Sequence, residues 1–228
     1  MNELIFKQKF NLNDQTLKNF NLFCDFLLEN NKKFNLTAIR EKNEVFLKHF
    51  ADSLSGANYF ENNKKILEIG SGGGFPSVPL KLFNQNLDLT LVEATGKKCN
   101  FLNQVKQLFN FDNFTVINAR CEELAKQGYK TSFDVVTARA VASLNVLIEL
   151  CAPFLKVGGT CVFYKNLSES EINDAKNAVL KTGCKINKII PYSLNGETAE
   201  RCIILINKIA PTPDIYPREY KQILKKPL

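Results

Sequence analysis

The chain predicts an α/β fold: a Rossmann-like, mostly parallel seven-stranded sheet that ends in an antiparallel hairpin and carries an N-terminal helical extension. Three observations predict it. Short β-prone runs alternate with helical ones from Lys65 to Lys181, as they do when parallel strands are joined by crossover helices. The first of these runs, Lys65–Ile69, leads directly into Gly70-Ser71-Gly72-Gly73-Gly74, a strand–glycine loop–helix unit in which backbone can approach a ligand closely. The last two runs, 185–192 and 201–209, are separated by the turn signal Asn195-Gly196, with little room for a crossover helix, so they pair antiparallel.

Taken in order, residues 14–30 place Leu17, Phe20, Phe23, Cys24, Leu27 and Leu28 at helical spacing, and residues 43–59 do the same with Val45, Phe46, His49, Phe50 and Leu54. Residues 1–60 are therefore read as a helical extension. Strands follow at 65–69, 87–92, 114–118, 133–138 and 160–165, with helices at 77–83, 97–109, 122–127 and 143–155. A helix at 169–181 leads to the final pair of strands. This makes residues 61–209 one domain and 210–228 a basic, Pro-containing tail.

The 228 residues suffice for one well-buried α/β domain with appendages, and 45% hydrophobic with 23% charged residues is a globular composition. No apolar run approaches the roughly 18 residues of a membrane span and the start lacks a basic-then-apolar leader, so a cytoplasmic location is expected. Seven scattered cysteines, none in C-x-x-C spacing, and a single histidine argue against a disulfide framework and against any metal site. A monomer is expected. The net charge is +7, and the last 22 residues carry five basic against two acidic side chains, which points to the tail as a reach toward a polyanion.

The glycine loop selects among cofactors. Its Gly70-x-Gly72-x-Gly74 spacing, followed by Phe75-Pro76, is not the G-x-G-x-x-G of a pyrophosphate cradle, and no Gly-Lys-Ser/Thr is present for a nucleoside triphosphate. Glu68, two residues before the loop, would repel a pyrophosphate and attract a methionine ammonium group. Glu93 ends the second strand, where an acid accepts hydrogen bonds from both ribose hydroxyls. Charge thus favours S-adenosylmethionine over NAD, and the antiparallel ending of the sheet distinguishes the class I methyltransferase form of the fold from the dinucleotide-binding one.

At the end of the fourth strand stands Thr137-Ala138-Arg139-Ala140, in place of the Asn/Asp-Pro-Pro-aromatic motif of amine methylation, and no cysteine nucleophile lies there for pyrimidine C5 chemistry. A target with a free lone pair, such as guanine N7, needs only in-line placement. Arg139 suits a phosphate or guanine O6; its bland alternative is a salt bridge to Glu122 or Asp134.

With these residues in view, the sequence resembles the bacterial small-subunit ribosomal RNA guanine-N7 methyltransferases, the RsmG or glucose-inhibited division protein B family. The matching segments are residues 33–40, 49–53, 68–79, 93–101 and 138–140 with Leu144, and the ending that runs from Tyr216-Pro217-Arg218 to Pro227-Leu228. Glu68, Gly73 and Ser77 depart from the family's usual Asp, Pro and Gly. The resemblance implies cofactor contacts at Gly70, Phe75, Cys121, Glu122 and Arg139, with adenine beside Cys121-Glu122. It implies as substrate one guanine of the 16S rRNA decoding-region loop, within the small ribosomal subunit or its precursor. Gly72, Gly74 and Glu93 complete the expected cofactor set. Lys97, Lys98 and Lys165, next to the expected site, and Arg218 of the tail are the candidate RNA contacts. His49 lies on an apolar helical face and is read as structural, hydrogen-bonded to Asp52 or to backbone, and Asn35 and Thr37 as a turn and helix cap.

Overall fold

The computed structural model describes residues 1–194 and 200–228, so the Asn195-Gly196 turn lies outside the described residues. Seven strands form one sheet in the order β3-β2-β1-β4-β5-β7-β6. They are β1 (Lys65–Ile69), β2 (Asp88–Glu93), β3 (Phe114–Asn118), β4 (Phe133–Arg139), β5 (Leu155–Asn166), β6 (Cys184–Tyr192) and β7 (Arg201–Lys208). The first five run parallel, and β7 pairs antiparallel with both β5 and β6. Pairing of Ile69 with Val92 and of Glu93 with Asn118 brings the carboxyl ends of β1, β2 and β3 level at one edge, where doubly wound sheets receive ligands.

The crossover helices are α5 (Ser77–Phe83), α6 (Gly96–Leu108), α7 (Cys121–Lys126) and α8 (Leu144–Cys151). The expected helix at 143–155 is shorter than its apolar periodicity suggests. Pro153 lacks a backbone donor, and the chain tightens into a 3₁₀ turn at Ala152–Phe154 before β5 begins. The expected helix at 169–181 is likewise two pieces, α9 (Glu169–Asp174) and α10 (Lys176–Lys181), meeting at the fully buried Ala175.

The extension begins with a helix the periodicity did not reveal, α1 (Glu3–Lys9), capped by Asn2, whose side chain accepts from Ile5 N at 3.0 Å. Helix α2 (Asp14–Asn31) is capped in the same way by Asn13. The second expected helix is interrupted: α3 (Lys42–Val45) widens into a π-helical segment, Phe46–Ala51, and resumes as α4 (Asp52–Leu54). Phe6, Phe20, Phe46 and Phe50 pack edge-on or tilted, centroids 5.0–6.2 Å apart. Their cluster is continuous with Ile66, Leu89 and Val162 of the sheet, so the extension shares its core with the sheet.

The tail is folded. Tyr216 is buried, and Ile223 of α11 (Tyr220–Lys225) lies fully inside the second apolar cluster beside α8. The basic tail thus packs on the domain, with Lys221, Lys225 and Lys226 exposed. All seven cysteines are free and buried. No described helix is long and apolar enough to cross a membrane, and no group of three or more potential metal ligands occurs among the described residues.

Candidate active site

A cleft of about 180 Å³ opens at the carboxyl edge of β1–β3. It gathers four of the expected residues, Gly70, Glu93, Cys121 and Glu122, with apolar walls that include Val92 and Val141. Gly70 has φ +70, and a side chain there would press its Cβ to 2.7 Å from Val141 in that wall. Glu93 Oε2 accepts from Gly72 N at 2.9 Å and Oε1 from Thr95 N at 2.8 Å. Those two backbone donors fix the carboxylate's direction and leave each oxygen a further lone pair for a hydroxyl.

Gly72, φ +54, sits on the loop's open side, with nothing nearer than Gly70 O at 3.8 Å from a built Cβ. Gly74, by contrast, is closed in by helices on its side-chain side. A Cβ there would lie 2.5 Å from Val78 and 3.1 Å from Leu102, so its small size serves helix packing. Phe75 is enclosed as well. Its ring stacks on His49 at 4.2 Å and packs with Phe23 and Phe50, among the extension's helices and away from the cleft.

Arg139 also turns away from the cleft. Its partner is neither Glu122 nor Asp134 but Asp52, at 2.9 Å, and Asp134 binds Lys156. Nη2 donates to Lys48 O (2.9 Å) and His49 Nδ1 (2.7 Å), and the second N–H of Nη1 is shared between His49 O (3.3 Å) and Ser53 Oγ (3.4 Å). Because Arg139 is always a donor, Nδ1 accepts, and the ring proton sits on Nε2, which donates to Thr37 Oγ1 at 2.7 Å. Burial, reinforced by the guanidinium, holds His49 down at about 3, so it is neutral at ordinary pH. It is structural, as expected, with Thr37 and Arg139 as partners rather than Asp52. The turn that carries Asn35 and Thr37 is gripped by Asn31, whose side chain accepts from Leu36 N and Thr37 N.

Asp52 is the centre of this arrangement; it was expected only as a partner of His49, and its pairing with the arginines was not foreseen. Its second oxygen accepts from Tyr192 Oη (2.6 Å) and Arg201 (3.2 Å), so one carboxylate ties α4 to β4, β6 and β7. These residues, with Tyr164 and Lys165, line a second cleft of about 310 Å³. It adjoins the first across Ala140 and Val141. Lys165, one of the RNA-contact candidates, lines this cleft while paired with Glu171 (2.6 Å) and donating to Ala142 O. Arg218 is engaged within the fold: it forms a bidentate pair with the fully buried Glu149 (2.7 and 2.6 Å). Of the four RNA candidates, Lys97 is exposed and Lys98 partly exposed at the start of α6, beside the first cleft. A larger cleft of about 470 Å³, between Asn58, Asp134 and Lys156, lies at the opposite end of the strands, away from the glycine loop.

Glu68 does not line the cleft. It is fully buried beneath the loop, where Oε2 accepts from Ser77 N (3.1 Å) and pins α5, while Oε1 and Ser77 Oγ have no partner. Burial raises its carboxyl to about 8. Between about pH 4.5 and 8 the unfolded chain therefore loses this proton while the folded chain keeps it, and stability falls as pH rises through that window. Glu68→Gln is expected to flatten this slope and to raise stability at pH 8 relative to pH 5. Urea unfolding at the two pH values checks it, and an unchanged slope would refute a buried neutral acid.

Strand order, level strand ends and glycine cleft together define the class I methyltransferase fold. Two solved structures share it at the level of fold alone: P. horikoshii TYW2 in complex with MeSAdo (TM-score 0.58, 12% identity, 69% of this chain and 61% of that one) and M. jannaschii TYW2 in complex with AdoMet (0.55, 16%, 70% and 76%). The family model GidB, rRNA small subunit methyltransferase G, matches residues 16–199. Proteins named ribosomal RNA small subunit methyltransferase G are 41% identical in Caldanaerobacter subterraneus subsp. tengcongensis (93% of this chain, 90% of the relative), 41% in Macrococcus caseolyticus (100% and 99%) and 42% in Lactococcus lactis (95% and 93%). The chain belongs to the rRNA small subunit methyltransferase G family.

Proposed function

We propose that this protein transfers a methyl group from S-adenosylmethionine to N7 of a guanine in the decoding-region loop of 16S rRNA, with the small ribosomal subunit or its precursor as the substrate particle. Family membership carries this reading, and the two adjoining clefts support it. The residues of the first fit the cofactor: a glycine edge open at Gly72, a carboxylate at Glu93 oriented for a ribose, and apolar walls for a base.

S-adenosylmethionine supplies a sulfonium-bound methyl group, which N7's free lone pair takes as the carbon–sulfur bond breaks. No proton leaves N7, so no general base is required. The chain's part is placement. Arg139 acts as a positioning residue: by binding Asp52 and His49 it locks the extension against the end of β4 and fixes the shape of the second cleft, where the guanine enters. Lys97 and Lys98 stand on the rim as phosphate contacts. Burial pushes the thiol of Cys121, the cysteine in the cofactor cleft, far up, which is unsuited to a nucleophile.

The test offers labelled S-adenosylmethionine and pure protein to small ribosomal subunits from a strain lacking this methyltransferase, with free 16S rRNA in parallel. Label recovered as N7-methylguanosine from the decoding region is expected. Subunits and RNA that both stay unlabelled would overturn the reading.

A further inference from the structure

The tail was the segment whose role the sequence left least defined, and the fold gives it a position the function has not yet used. After β7 the chain is tied down at successive points. Lys208, almost fully buried, donates to Thr182 O (2.6 Å) and to Thr212. Arg218 then closes its two-pronged pair on Glu149 of α8. Carboxylate and guanidinium, one of them fully out of water, hold each other in a fixed geometry. Two residues further on, Tyr220 opens α11, whose Ile223 is fully buried. The Tyr220 ring packs against the apolar cluster on one side. On the other it lines the first cleft, with Cys121, Glu122 and Leu150.

Position along the sheet says what meets that ring. Glu93, at the end of β2, is placed for the ribose. β3 is the next strand outward, so a base attached to that ribose lies over the end of β3, at Cys121-Glu122. Tyr220 stands there. A half-exposed aromatic ring is suited to a flat, π-faced base on one side and apolar packing on the other.

We propose that Tyr220 is a cofactor-binding residue: the C-terminal tail, anchored by Arg218 on Glu149, closes the adenine end of the S-adenosylmethionine cleft. This rests on the methyltransferase reading above, and it makes the tail's conformation part of cofactor affinity.

The chain contains no tryptophan, which makes the test direct. Tyr220→Trp places the protein's single indole in the cleft. On titration with S-adenosylhomocysteine its emission is expected to change and to saturate at the concentration at which calorimetry shows the site filled, while Phe83→Trp, at an exposed position ending α5, stays constant. By calorimetry Tyr220→Phe should bind as wild type does, and Tyr220→Leu about tenfold to thirtyfold more weakly, the share of a base-stacking contact. A silent Tyr220→Trp in a protein that calorimetry shows to be saturated overturns this inference alone, as does wild-type affinity in Tyr220→Leu. A wild-type protein that binds no S-adenosylhomocysteine overturns the function reading and this inference together.

Discussion

Asp52→Ala is expected to lower the protein's stability by about 3–5 kcal/mol, because it removes the buried carboxylate that neutralises the Arg139 guanidinium. The side chain is 2% exposed and binds Arg139 through one oxygen and Arg201 and Tyr192 through the other. Removal takes the carboxylate from the Arg139 guanidinium, itself only 13% exposed, and it removes the one side chain that ties α4 to β4, β6 and β7 together. An exposed pair such as Lys33–Glu29 should cost little when broken, since water screens it and solvates both partners afterwards. Asp52→Asn keeps hydrogen-bonding oxygen and loses charge, so its cost should fall between wild type and Asp52→Ala. Urea unfolding of the three proteins decides the matter. A loss under about 1 kcal/mol for Asp52→Ala would show that the extension is held by its phenylalanine packing and that the carboxylate is incidental.

Gly72→Asp is expected to fold normally and to bind cofactor more than 100-fold more weakly, a loss of about 3 kcal/mol or more. The fold tolerates it because a Cβ at Gly72 meets nothing within 3.8 Å, and φ +54 is a conformation aspartate adopts more readily than most residues. Binding does not tolerate it, because the new side chain enters the open edge of the loop and sets a second carboxylate beside Glu93, which already accepts from the Gly72 amide. Gly74 makes the useful contrast. There any side chain collides with Val78, so loss of cofactor binding would come with loss of the fold. Thermal unfolding separates the two cases, and calorimetry with S-adenosylhomocysteine measures the first. Unchanged affinity in a folded Gly72→Asp protein would move the ligand away from this loop.

How much of this was legible in the sequence follows from how local each signal is. β1 and β3 are legible residue for residue and α5 likewise, since alternating or continuous apolar runs bounded by turn residues report local geometry. α1 was missed because seven residues hold too few turns for a periodic signal, although Asn2 ahead of Glu3 is the cap that could have revealed it. The π-helical segment was missed because a helix and a widened helix share almost the same apolar spacing.

In the site the division is sharper. Gly70, Glu93, Cys121 and Glu122 come together because each stands at the carboxyl end of a strand or just past it, and parallel strands in register bring those ends to one edge. Gly74 and Phe75 belong to the same short motifs, yet they pack against neighbouring helices, and Arg139 lines the second cleft rather than the first. A motif fixes where the backbone goes and leaves open which side of it meets the neighbouring helices.

The amino-acid pattern by itself determined the sheet, its antiparallel ending, the cofactor cleft and the class of chemistry, because these follow from local periodicity and from the spacing of glycines and acids. Only the tertiary structure decided the partners of the charged groups: Asp52 for Arg139 across 87 positions, Glu149 for Arg218 across 69, and Tyr220 at a cleft built by residues at least 70 positions earlier. A buried charge selects the nearest counterion in space, and that nearness arises when extension and tail fold back onto the sheet.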